Sequence, residues 1–286
     1  MEDVIIEVKN LTKKYGKYPV LHNITFSIFE GQITAILGPN GAGKSTLLNI
    51  LCTDLSFDQG EIRIAGNKLG RENKFIRKNV GIVFQNGVLD ERLTIGENLR
   101  VRGGFYGLKG KRLAENISKA ADMTGIKNLL LWEYGKLSGG QKRRSDIARA
   151  LIHAPHILFL DEPTSGLDPE MRRMVWQAIK RIREETGMTV VMTTHYMEEA
   201  AFADKIIVIN KGSIAFQGTV MDIREKFAKD KLILYTGDKI TELEISNTGD
   251  ALKILAAINN NYEDFEVIKG SMENAYLNII GETQIR

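Results

Sequence analysis

Cysteine, long apolar runs and dense blocks of one charge are what this sequence lacks. Its single cysteine, Cys52, excludes an internal disulfide framework and suits a reducing cytosol. It reads as a small core residue. The longest run without a charged residue, Gly31 to Gly43, is broken by Gly and Pro. Nothing approaches the ~18 apolar residues of a membrane span. The opening Met1-Glu2-Asp3-Val4 is acidic and then β-like, unlike a signal peptide. No fixed-period repeat is present. With 286 residues, 43% hydrophobic and 26% charged, the chain has the composition of an ordinary soluble protein of one or two domains. From Lys231 onward there are five Lys/Arg against nine Asp/Glu, so the first 230 residues carry a surplus of about seven positive charges. A basic body attracts nucleic acid, lipid surfaces or nucleotide phosphates alike. The cations form no dense run, so a solvated surface is the default and charge alone decides nothing.

What the chain does have is Gly38-Pro39-Asn40-Gly41-Ala42-Gly43-Lys44-Ser45-Thr46, a match to G-x-x-x-x-G-K-[ST]. The apolar run Ile33–Leu37 before it reads as a buried strand, and Leu47–Leu51 after it as a helix. Strand, glycine loop and helix together make a phosphate cradle. Glycines let backbone N–H groups approach the phosphates, and the helix adds its positive dipole end. In that setting Lys44 neutralises the β- and γ-phosphates, and the Ser45 hydroxyl completes the shell of a Mg²⁺ ion.

The rest of the chain alternates strands and helices. Val4–Val8 and Val20–Phe29 read as β, with Tyr15 between them. An aromatic there either stacks on a nucleotide base or simply packs. Gly60–Gly66 and Val80–Phe84 are further strands, the latter ending at Gln85. From about residue 90 to 136 the pattern is helical, and Thr94 to Glu97 has capping-box spacing. In Leu137-Ser138-Gly139-Gly140-Gln141, Ser138 and Gln141 have the same spacing, ahead of a helix from Lys142 to His153. This stretch is either a well-capped helix start or a second anion site exposing glycine N–H groups. His156–Glu162 is an apolar strand ending in two carboxylates, as suits a parallel sheet whose ligands lie at carboxyl ends. There Asp161 holds Mg²⁺, directly or through water, and Glu162 orients and polarises an attacking water. Asp168-Pro169 opens a helix to about Glu185. His195 stands just past the strand Met188–Thr193, placed for a γ-phosphate contact. Short strands at Ile206–Ile209 and Ser213–Phe216 follow. The tail from Lys231 reads as strands at Leu232–Leu234, Leu243–Ile245 and Phe265–Ile268 and helices at Ala251–Ile258 and Met272–Ile280.

Taken together, residues 2–230 resemble the ATP-binding subunit of an ABC transporter. Gly38–Thr46, Leu137–Gln141 and Ile157–Glu162 stand in that family's order and spacing, with its signature unaltered. The resemblance implies an α/β fold: a P-loop NTPase core with an N-terminal antiparallel β subdomain and a helical insertion, residues 90–150, carrying the signature. Residues 1–230 form the ATP-binding domain and 231–286 a small accessory α/β segment. It further implies that Tyr15 stacks on adenine and that Gln85 reaches Mg²⁺ and the water. Glu162 is then the catalytic base, Ser165, Gly166, Leu167 and Asp168 cross a dimer interface, and His195 is the switch histidine. Two copies pack head to tail in that family, the glycine loop of one facing Ser138, Gly139, Gly140 and Gln141 of the other. ATP and Mg²⁺ as ligands, a homodimer, a separately encoded membrane permease and a place on the inner face of the cell membrane all follow from the same resemblance. Thr194–Ala200, Asp90–Leu99 and Ser271–Leu277 are similar to the type-two, drug-resistance-like exporter subunits. One departure is Gln141-Lys142, where that branch often carries Met after the two glycines.

The leading expectation is an export ATPase for a drug, lipid or ion, with import as the near alternative. A soluble ABC ATPase acting on nucleic acid or the ribosome is the alternative of a different class. It fits less well, because no long coiled coil separates Thr46 from Leu137 and the chain carries one such domain; no nucleic acid is expected as a partner.

Overall fold

In the computed structural model, residues 3–237, 239–258 and 262–282 are described; the acidic opening pair Met1 and Glu2 lies outside them. Two long strands begin the fold. β1 (Val4–Tyr15) and β2 (Tyr18–Phe29) pair antiparallel around Gly16 and Lys17. β1 therefore runs well past Val8, where the sequence shows a break. Pairing with β2 carries it through register shifts near Leu11 and Lys13, so tertiary pairing overrides the weak local signal. β3 (Ile33–Leu37) leads through the glycine loop into α1 (Lys44–Leu51). β4 (Gln59–Ile64) and β5 (Asn67–Lys68) extend the first sheet in the order β2-β1-β4-β5. α2 (Asn73–Asn79) then enters β6 (Val80–Val83).

A helical stretch follows: α3 (Ile95–Phe105), α4 (Gly110–Met123) and α5 (Gly139–Leu151). Both expected capping boxes form, Thr94 with Glu97 and Ser138 with Gln141. The second starts α5 at Gly139, three residues ahead of the expected Lys142, because the cap outweighs the low helix propensity of two glycines. β7 (Ile157–Asp161), α6 (Pro169–Thr186), β8 (Thr189–Thr194), α7 (Met197–Ala200), β9 (Lys205–Asn210) and β10 (Ser213–Gly218) complete the main body.

The central sheet has the order β10-β9-β3-β8-β7-β6. All its strands are parallel except β10 at one edge. β3, β7 and β8 are buried along their whole length, as expected of strands covered on both faces. Successive residues point to opposite faces, which divides the core in two. Ile157 and Phe159 join α1 and the antiparallel sheet. Leu158 and Leu160 join a second core shared with the helical stretch and α6.

Beyond α8 (Val220–Phe227), β11 (Asp230–Thr236) pairs with β12 (Lys239–Ile245) and β13 (Asp264–Ile268) on either side. α9 (Thr248–Ala257) covers that sheet, with Leu232, Leu234, Ile245, Ala251 and Leu255 as its small core. α10 (Met272–Glu282) does something different. Ala275 and Ile279 are buried in the same cluster as Phe216 and Ile223 of the main body, and the Asn210 amide donates to the Ile280 carbonyl at 3.1 Å. Ile279→Ala is therefore expected to cost about 2–5 kcal/mol, read as a lowered urea midpoint of the whole chain. A change under about 0.5 kcal/mol would show that α10 does not share the main core.

Candidate active site

The carboxyl ends of β3, β6, β7 and β8 share one edge of the sheet, and the residues just past them face a cleft of about 580 Å³. Val20, Asn40, Gly41, Gly43, Lys44, Ser45, Thr46, Gln85, Glu162, Ser165 and His195 line it. One wall is the glycine loop. Gly43, at φ 106°, caps α1 without any side-chain hydrogen bond to the helix N–H groups, which leaves them for an anion. A side chain at Gly43 would be strained and would also meet Leu21 Cδ2 at 2.7 Å. The Lys44 ammonium donates to the Gly38 carbonyl at 2.7 Å and the Pro39 carbonyl at 3.2 Å. Burial lowers its pKa, while the charges of Glu162 and Asp161 pull the other way. No carboxylate is within ion-pair distance of Lys44 among the described residues. An ammonium lodged near the loop carbonyls without an ion-pair partner suits an incoming phosphate.

Opposite stands Glu162, half-buried between two partners. The Gln85 amide donates to Glu162 Oε2 at 3.2 Å, and His195 Nδ1 lies 3.4 Å from Oε1. The strand order makes this meeting: β7 lies between β6, which ends before Gln85, and β8, which ends before His195. Asp161 is not part of the lining; its Oδ1 accepts from Thr193 Oγ1 at 2.5 Å.

Other residues singled out in the sequence lie outside this lining. Tyr15 is half-exposed at the end of β1, with Lys13 Nζ 5.5 Å from its ring. Ser138 and Gln141 are engaged in their mutual cap. Gly140 is packed so closely that a Cβ would meet the Met171 side chain at 2.4 Å, and at Gly139 one would meet Leu167 at 3.3 Å. The start of α5 thus rests on the loop Ser165–Asp168 and on α6. Asp168 caps α6 by accepting from Met171 N at 2.9 Å. Sequence reasoning missed Val20 as a lining residue, and it missed Arg143 and Thr193, whose contacts hold the backbone around Glu162. A buried arginine aimed at carbonyls leaves no periodic signal.

The location of the glycine loop settles the class: a strand, loop and helix at the carboxyl edge of a parallel sheet make a P-loop nucleotide-binding protein. Residues 21–165 match the family described as "ABC transporter". Over 229 residues the chain is 38% identical to the "Probable multidrug ABC transporter ATP-binding protein YbhF" of Escherichia coli (strain K12), an alignment covering 80% of this chain and 39% of that protein. Over 257 residues it is 35% identical to the "Linearmycin resistance ATP-binding protein LnrL" of Bacillus subtilis (strain 168), covering 90% and 81%. The solved dimer of the ATP-binding cassette MJ0796, in a post-hydrolysis state with ADP and Pi, matches with TM-score 0.68 and 32% identity over 75% of this chain and 98% of that one. The chain belongs to the ABC transporter family. It spans well under half the length of the E. coli relative. No helix among the described residues is long and apolar enough to cross a membrane.

The loop wall makes a direct prediction. Lys44→Ala should weaken ATP binding by about 10–100-fold, the loss of one charge-assisted contact of about 1.5–3 kcal/mol. Titration calorimetry checks it, and unchanged affinity would remove Lys44 from the phosphate site.

Proposed function

We propose that this chain hydrolyses ATP at the cleft between the glycine loop and Glu162, and that two copies use this to drive export by a separate membrane permease. The observation that carries the reading is Glu162 held between Gln85 and His195 across the cleft from Lys44. The Lys44 ammonium and the open N–H groups of α1 take the phosphate chain. The Glu162 carboxylate accepts a proton from a water whose oxygen attacks the γ-phosphorus, the β–γ bridging bond breaks, and ADP and phosphate leave. His195 and Gln85 keep the carboxylate oriented, and His195 also contacts the γ-phosphate. The Ser45 hydroxyl, Gln85 and Asp161 offer hard oxygen donors that fit Mg²⁺. Mg²⁺ held there would neutralise charge on the phosphates.

The cleft is open on one side. The homodimer reading closes it with Ser138, Gly139, Gly140 and Gln141 of a second copy, and runs Ser165 to Asp168 along the interface; Tyr15 stacks on the adenine. The dimeric MJ0796 cassette supports this arrangement. The resistance and multidrug names of LnrL and YbhF support export. On this reading the chain works on the inner face of the cell membrane, beside the permease.

Glu162→Gln tests the central step. It should slow ATP turnover by roughly 10²–10⁴-fold while ATP binding survives. Near-normal turnover in that variant would refute the role of Glu162.

A further inference from the structure

Glu162 has a positive φ of 43°, a left-handed conformation that costs a non-glycine residue of order 1–3 kcal/mol. Such a backbone persists only where its surroundings hold it, and here they do so from both sides. Arg143, in the second turn of α5, is buried, and its guanidinium spreads over the ends of two strands. Nε donates to the Pro163 carbonyl at 2.7 Å, and Nη2 to the carbonyls of Asp161 at 2.7 Å and Glu162 at 2.6 Å. Nη1 donates to the Phe84 carbonyl and, at 3.4 Å, to that of Gln85. An arginine has five N–H donors in a fixed plane, and each finds a carbonyl. No carboxylate lies within ion-pair distance of this side chain among the described residues. Its geometry, rather than a counter-ion, accounts for its place.

From the other side Thr193, fully buried on β8, closes the turn. Its hydroxyl accepts from Glu162 N at 3.0 Å and donates to Asp161 Oδ1 at 2.5 Å. The same two residues therefore fix the peptide on either side of Glu162, and Arg143 also fixes the carbonyl end of Gln85. We infer that Arg143 and Thr193 are positioning residues for hydrolysis: they hold the strained turn that presents the Glu162 carboxylate between Gln85 and His195. The inference rests on the reading of Glu162 as the base. A lysine at 143 has the charge but not the planar fork, and cannot reach five carbonyls on two strands.

Thr193→Val keeps the shape and removes the hydroxyl; Thr193→Ser restores it. Thr193→Val is expected to lower kcat by about 10–100-fold, the scale of a misplacement near the reacting atoms. KM for ATP should stay within about 3-fold. Thr193→Ser should recover most of the rate. Arg143→Lys should act in the same direction, and urea unfolding reports whether that variant remains folded; if it does not, the Thr193 pair carries the test. The decisive arm is Thr193→Val in a Glu162→Gln background, followed by single-turnover hydrolysis. A residue that acts only through the Glu162 carboxylate causes no further loss there, whereas a general structural defect lowers the rate again. Wild-type kcat in Thr193→Val, or full additivity in the double variant, overturns the inference. Should Glu162→Gln itself keep turnover, the reading of the base fails first, and this proposal with it.

Discussion

Every part of the candidate site depends on the order in which the parallel strands lie. β3, β8, β7 and β6 are neighbours in that sequence, so the residues following them emerge side by side at one edge. A phosphate-binding loop follows β3, a histidine β8, a glutamate β7 and a glutamine β6. β6, β7 and β8 follow one another as strands in the chain, and crossover helices carry it back to start each in the same direction. β3, β7 and β8 are buried along their whole length because both faces are covered. Polar chemistry is thereby confined to the strand ends, where it can meet a ligand.

The two walls of the cleft differ in how they are prepared. The loop wall is open: α1 begins without a side-chain cap, and Lys44 rests on loop carbonyls rather than on a carboxylate. The opposite wall is held under strain, with Glu162 in a left-handed conformation and its neighbours gripped by Arg143 and Thr193. On the proposed reading of Glu162 as base, an open anion site and a fixed carboxylate suit a reaction in which charge must be received and a water aimed. The helical stretch supports the second wall and the loop that follows it. α5 supplies Arg143 to the strand ends, and its glycine start is packed against Leu167 and Met171. A shift of α5 would therefore be felt at Glu162 and at the loop Ser165–Asp168 together.

Much of this was legible in the sequence because the signals were local. Ile33–Leu37 and Ile157–Asp161 are short apolar runs with turn or charge at their ends, and the structure places strands there. The capping residues Thr94, Ser138 and Asp168 open helices at those positions. α2 and α8 show no helical period in the sequence. They bury a single residue each, Ile76 and Ile223, too little for a 3.6-residue period. The cap before α8, Thr219 with Asp222, was the signal that would have found it. The least legible feature was Arg143, whose carbonyl partners lie 18 to 59 residues away along the chain. Only the assembled sheet brings them within reach of one guanidinium. Likewise Ala275 and Ile279 of α10 read as part of a separate tail, yet they are buried with the main body.

The account makes one chain half of a working site: a loop wall and a base wall, with the remaining face left to a second copy. Light scattering on the Glu162→Gln variant, with and without ATP and Mg²⁺, tests this most directly, since that change should preserve binding while blocking release by hydrolysis. The account predicts a particle of twice the 32.0 kDa of one chain that forms only with ATP. A particle that stays at the mass of one chain with ATP fully bound would contradict it.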